Sequence, residues 1–355
     1  MVYSRKAPVR SKVVLEILPL MNFSSSSYDL PVRASSASSI PSLYVLKALL
    51  AFVVVTCHSP LALSWLQIPG GAVELFFSIT GYFIYVSDLS KVQVRIWKSV
   101  KKVLPIILIL QIFYNIIAPP QLGSITTSYW TYFQWFFMGF STFSSGHLWY
   151  LTALLFGLQF FSLYLYVTKG RWVPLLFFLI LLWAAIGPFR MLLFGKPESV
   201  FVFNFLTRAV PYIALGYWIH ANQCRLLKYR WLNIYFILLV LMGLEQLVTL
   251  YLSNYTASPS LIGLFPIEFA LFMLFLSHSE LGRGTWLEMI GAKYSGNIYY
   301  FHMAVILLWK QLNPYSALLS EVYEYGGALI VFIISLGIAW VMVKVQDKIG
   351  YHVLK

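Results

Sequence analysis

Residues 43–64 read LYVLKALLAFVVVTCHSPLALS, and a single full charge, Lys47, interrupts them. A helix needs about 20 apolar residues to cross a bilayer core, so this run predicts a spanning segment. Further runs of the same character follow at 70–88, 103–119, 147–168, 172–194, 204–221, 231–253, 260–278, 294–312 and 323–346. The bulk composition agrees. Of 355 residues, 60% are hydrophobic and 10% charged, where a soluble domain carries about a quarter charged. Such a chain has too much to bury to be disordered and too little polar surface to cover a soluble globule. The fold expected is all-α: a polytopic membrane helix bundle of about ten transmembrane helices.

The net charge is +13, from 25 Lys and Arg against 12 Asp and Glu. In a soluble protein that excess would raise the question of nucleic acid. Here the plainer cause is Lys and Arg retained in cytoplasmic loops, so membrane lipids are expected as partners and nucleic acid is not. With the N-terminus inside, most of the Lys and Arg fall on one side: the tail, the stretch Lys91 to Lys102, then Lys169 and Arg171, Arg225 to Arg230, Arg283 and Lys293, and Lys344 to Lys355. Both termini are therefore expected to be cytoplasmic. An eleventh span over 124–143 (SITTSYWTYFQWFFMGFSTF) would scramble this pattern, so that aromatic stretch is expected as a re-entrant or surface helix. Residues 1–40, Ser-rich and carrying Arg5, Lys6, Arg10, Lys12 and Arg33, predict a disordered basic tail, with a signal peptide the less favoured alternative. Residues 41–355 form the transmembrane domain. Cys57 and Cys224 have neither disulfide nor metal-ligand spacing, and no metal is expected.

Titratable groups at bilayer depth cost several kcal/mol and are functional candidates unless they pair with one another or snorkel to the interface. They are Lys47, His58, Glu74, Arg208, Glu245, Glu268, His302 and Lys310. Lys47 and His58 are eleven residues apart. On a helix that puts them about 20° apart around the axis and roughly 16 Å apart along it, on one face. A neutral His can act as base or acid; a core His bonded to a carbonyl is the equal alternative. The basic stretch KVQVRIWKSVKKVLP (91–105) reads as a loop before the third span, either as positive-inside anchors or as a docking patch for an anionic cosubstrate.

Five motifs in order resemble the acyltransferase-3 family of integral-membrane acyltransferases. They are a basic residue eleven positions before a His (Lys47, His58); VELFFSITGYFIY (73–85), with Glu74, Phe76, Phe77, Gly81 and Tyr82; VKKVLP (100–105); GHLWYLTALLF (146–156), with His147 and Trp149; and SGNIYYFH (295–302), with Ser295, Tyr299 and His302. The resemblance runs from about residue 43 to 346. There are departures. The family's usual Arg is Lys47, its R-x-x-R before the Pro is Ser99 and Lys102, and the Ser before Gly81 is Thr80. Lys keeps the charge and loses the bidentate phosphate fork.

The resemblance implies a membrane-bound acyltransferase of the bacterial cytoplasmic membrane. It would move an acyl group, acetyl in the usual family donor, from acetyl-coenzyme A to a hydroxyl of a surface or exported glycan or its lipid-linked precursor. His58, Glu74 and His302 become the catalytic candidates. His58 would act as general base or acyl acceptor, with Glu74 orienting it or holding the acceptor. Lys47, Arg95, Lys98, Lys101 and Lys102 would bind the cosubstrate; His147, Trp149 and Tyr299 would bind the acceptor. The alternative is a proton-coupled exporter of a glycan or lipid-linked sugar.

Overall fold

The computed structural model describes residues 40–61, 71–118, 129–138, 146–186, 203–252, 264–312 and 315–349. The expected tail lies outside them apart from Ile40. The described residues are helical, without strands. They comprise α1 (Pro41–Thr56), α2 (Ala72–Ile84), α3 (Leu89–Ile117), α4 (Tyr129–Met138), α5 (Trp149–Thr168), α6 (Phe178–Ala184), α7 (Val210–Leu226), α8 (Trp231–Leu252), α9 (Leu264–Ser277), α10 (Trp286–Met289), α11 (Ser295–Leu312) and α12 (Ala317–Ile349). Among the described residues four helical stretches are long and apolar enough to cross a membrane: Leu89–Ile117, Gly146–Thr168, Trp231–Val248 and Ala317–Lys348. Shorter apolar helices are Pro41–Thr56, Ala72–Ile84, Val173–Ala184 and Leu264–Ser277; the first two are largely buried, whereas Leu175, Phe178 and Leu181 of the third are exposed. The aromatic stretch 124–143 contributes α4, a helix of 10 residues. At about 1.5 Å per residue α4 covers only half of a bilayer core.

The basic stretch expected as a loop is helix instead. Asp88 caps α3 by accepting from the Ser90 N–H at 2.9 Å and from its hydroxyl at 2.7 Å. Lys, Arg and Gln are good helix formers, so nothing in 91–104 stops the helix. Pro105 lies inside it and removes one backbone bond without ending it. The cations thus ride on the first turns of a 29-residue helix and take fixed angular positions.

α1, in contrast, stops early. Its last turn tightens at the end, with the His58 N–H bonding Val55 O at 3.1 Å. Pro60 then disfavours a helical conformation at Ser59. His58 therefore sits in the turn just beyond the helix end at Thr56, where Cys57 is still αR and the Ser59 N–H bonds Val55 O at 3.0 Å; Lys47 and His58 line different cavities. That turn is fixed from the other side: the Ala328 N–H of α12 bonds Pro60 O at 2.8 Å.

α2 and α7 pack backbone against backbone. A Cβ at Gly81 would lie 2.0 Å from Ile213 O, and one at Gly216 would lie 1.8 Å from Ser78 O. Each helix offers a glycine to the other's carbonyl. Such close approach is how helices associate where lipid removes the hydrophobic drive between them.

Candidate active site

A cavity of about 520 Å³ lies among α1, α2, α3, α5 and α11. Four cations line it, Lys47, Arg95, Lys98 and Lys102, and no carboxylate does. Three of them, with Ser99, come from one face of α3, where spacings of three and four bring side chains together. Lys101 is exposed on α3 and does not line the cavity. Arg95 also holds the end of α2, donating from one nitrogen to Phe83 O at 3.0 Å and Tyr85 O at 2.9 Å. It thereby satisfies carbonyls that a helix end leaves unpaired. Lys47 reaches over the Tyr44 ring, 5.9 Å from its centroid. The deeper lining is aromatic: Phe76, Tyr150, Tyr299 and Tyr300.

A second cavity of about 500 Å³ is lined by Cys57, His58, Glu74, His147, Trp149 and Arg208, among others. The two are stacked along the bundle axis. α1 gives Tyr44 and Lys47 to the first and Val54 to the second; α5 gives Tyr150 to Leu158 to the first and Trp149 to the second. α2, running the opposite way to α1, reverses the order: Ala72 to Glu74 line the second, Phe76 to Ile84 the first.

In the second cavity Glu74 is ion-paired with Arg208. Both are buried. The guanidinium lies 4.6 Å from the Trp183 ring and 5.9 Å from that of Trp149. The residue before Arg208 is fixed by Asn204, whose side chain accepts from the Thr207 N–H at 2.9 Å. No hydrogen bond joins Glu74 to His58 among the described residues, so the carboxylate expected to orient that imidazole is committed to Arg208. Glu268 is buried nearby: a Cβ at Gly71 would lie 2.6 Å from its carboxylate oxygen.

Between the cavities stands a wall of rings. Tyr150 packs on Phe76 (6.1 Å between centroids), Phe77 (4.8 Å) and Tyr299 (5.1 Å). The Tyr299 hydroxyl donates to the His147 carbonyl. Behind Tyr299 is His302, fully buried, whose Nδ1 hydrogen-bonds Tyr299 O at 2.7 Å. A carbonyl only accepts, so Nδ1 carries the proton and Nε2 presents its lone pair. Nε2 of His302 and Nε2 of His147 are both buried and have no hydrogen-bond partner among the described residues. The His302 ring lies 5.3 Å from that of His58 and 5.5 Å from that of His147.

The structure thus brings His58, His147 and His302 into one cluster, and it sets Lys47, Arg95, Lys98 and Lys102 together in a different cavity. Tyr299, expected on the acceptor side, lines the cationic cavity instead, and its hydroxyl bonds the carbonyl of His147, a residue of the second. Tyr150 and Arg208 stand in the two cavities without a role assigned to them by the motifs. Arg208 carried a usable signal, being a charge in an apolar run with Glu74 available to neutralise it. Tyr150 carried none beyond its place in HLWY.

Comparison with known families gives one result. The acyltransferase-3 family model, described as an acyltransferase domain, matches residues 40–344. No curated protein and no solved structure matches the chain.

Proposed function

Because the chain belongs to the acyltransferase-3 family, we propose that it moves an acyl group, acetyl in the first instance, from acyl-coenzyme A to a hydroxyl of a glycan or lipid-linked saccharide. The observation that carries this reading is the pairing of a carboxylate-free cationic cavity with a second one holding His58, Glu74, Arg208 and Trp149. Coenzyme A is a polyanion with a long thin arm. Lys98, Lys102 and Arg95 supply the charge to hold its phosphates at the first cavity, and Lys47 lies further along the path. The thioester then meets the ring wall, with the imidazoles behind it.

The acceptor enters the second cavity. Trp149 offers a stacking face for a sugar ring. The Glu74–Arg208 pair offers hydrogen-bond acceptors and donors to neighbouring hydroxyls. His58 takes the proton of the reacting hydroxyl, the oxygen attacks the thioester carbon, and the C–S bond breaks. The thiolate leaves and recovers the proton from the imidazolium. His302, whose ring lies 5.3 Å from that of His58 and whose Nε2 lone pair has no partner at rest, positions His58 by accepting the N–H of that ring once the two close up for transfer. Transfer requires a shift of Tyr299, which stands between donor and imidazole.

In this reading the bundle has ten spans with both termini in the cytoplasm of a bacterial inner membrane, and the cationic cavity opens inward. The charge distribution along the chain supports it.

The test is His58→Ala in purified full-length protein, given radiolabelled acetyl-coenzyme A and followed for label transfer and for hydrolysis. Transfer is expected to fall by about 10²-fold or more, the usual worth of a positioned base. Unchanged transfer overturns the assignment of His58. An exporter would consume no thioester at all, in the wild type or the variant.

A further inference from the structure

We infer that Phe76 and Tyr150 set the length of the acyl group, so that the first cavity accepts a short chain and rejects longer ones. The inference rests on the acyl-coenzyme A reading above and extends it to donor specificity. The inner end of the cationic cavity is where an acyl chain must lie for its carbonyl to approach the imidazoles, and that end is built from Phe76, Tyr150 and Tyr299. These rings are held. Tyr150 packs between Phe77, itself fully buried, and Tyr299. Tyr299 is tied through its hydroxyl to the His147 carbonyl and through its own carbonyl to His302. Its neighbour Tyr300 is anchored as well, its carbonyl accepting from the Tyr114 hydroxyl at 2.6 Å.

Whichever way Tyr299 turns, Tyr150 stays backed by Phe77 and packed on Phe76, and that side of the end does not retreat for an extra methylene, because close-packed interiors deform only at a cost. Phe76 is the adjustable element. It is only partly buried and faces the cavity from α2. Shortening it enlarges the cavity instead of leaving a sealed void. Tyr150, packed on three rings, sets the opposite side of the same end.

The experiment compares wild type, Phe76→Ala and Phe76→Leu as purified full-length proteins, each given acetyl-, butyryl- and hexanoyl-coenzyme A with glycerol and water as hydroxyl acceptors, and reads the release of free coenzyme A. One misplaced methylene in such a pocket changes kcat/KM by roughly 10- to 200-fold. Wild type is expected to favour acetyl over butyryl by at least about tenfold. Phe76→Ala is expected to raise the butyryl-to-acetyl ratio by about tenfold or more, and Phe76→Leu by less. Should the alanine variant fail to fold, the leucine variant carries the test. Free coenzyme A released with an unchanged length profile in the folded variants, or wild type using hexanoyl as readily as acetyl, overturns this inference and leaves the donor reading standing. No release from any donor by wild type overturns both.

Discussion

Glu74 and Arg208 form an ion pair at the wall of the second cavity, with side-chain exposures of 1% and 10%. Removing one partner of such a pair strands a charge away from water, at a typical cost of about 3–5 kcal/mol, whereas replacing both is often close to neutral. Arg208→Met is therefore expected to lower the melting temperature in detergent markedly, and the double variant Glu74→Gln, Arg208→Met to recover most of that loss. If the pair also holds the acceptor, the double variant stays inactive despite its recovered stability. Recovery of both properties together would mean that the pair serves structure alone.

The cations of α3 divide by angular position. Lys98→Gln with Lys102→Gln is expected to raise the KM for acyl-coenzyme A, with the loss growing at low salt, where charge attraction is least screened. Lys101→Gln, on the outer face, is expected to leave that KM unchanged. Equal effects from the two changes would return the basic stretch to a diffuse anchoring role.

Gly81 and Gly216 admit no side chain. Alanine at either must push a carbonyl oxygen that lies 2.0 Å or 1.8 Å from the new Cβ. Each change is expected to cost at least about 1–3 kcal/mol and to lower the yield of folded protein. Gly243→Ala is the control. Nothing lies within 4 Å of its added Cβ, and helix propensity alone should stabilise it by a few tenths to about 1 kcal/mol. Thermal unfolding of the three variants in one detergent decides the matter.

Asp88 gives a pH dependence with a defined sign. The bonds it accepts from Ser90, with Lys91 nearby, hold its carboxyl below the usual aspartate range. A depressed folded-state value means that the cap contributes fully above the unfolded aspartate value and fades as pH falls through the folded one. The stability difference between wild type and Asp88→Ala is thus expected to be constant near neutrality and to close on acidification below about pH 4. A difference that persists at low pH would show that the carboxylate charge is not what caps α3.

The membrane class and the motif residues were legible because burial in lipid leaves a one-dimensional record: long apolar runs, and a few polar groups that stand out within them. Angular information was lost wherever a helix end was misjudged. The charge of the basic run at 91–102 keeps it out of the bilayer, and on that ground alone the run predicts a loop. Yet charge does not stop a helix, and Asp88 had already supplied its start. Helical periodicity applied to that run sets Lys101 apart from Arg95, Lys98 and Lys102. Pro60 ends α1 just short of His58, and the spacing of Lys47 and His58 does not reveal that they line two different cavities. The ring wall was illegible. Phe76, Tyr150 and Tyr299 come from three different helices, and an aromatic residue in an apolar helix gives no sign of which ring it will meet.

The rings that keep the two cavities apart have a bearing on the membrane itself. A continuous bore through a bundle of this kind would let protons and ions run down their gradients whenever no substrate blocked it. In the proposed acyl transfer, two chambers parted by rings would let a small carbon fragment be handed across while the bilayer keeps its electrical seal. The cost of that insulation, in the same proposal, is that Tyr299 would move on every turnover, which makes the shift of one side chain a natural candidate for the slowest step.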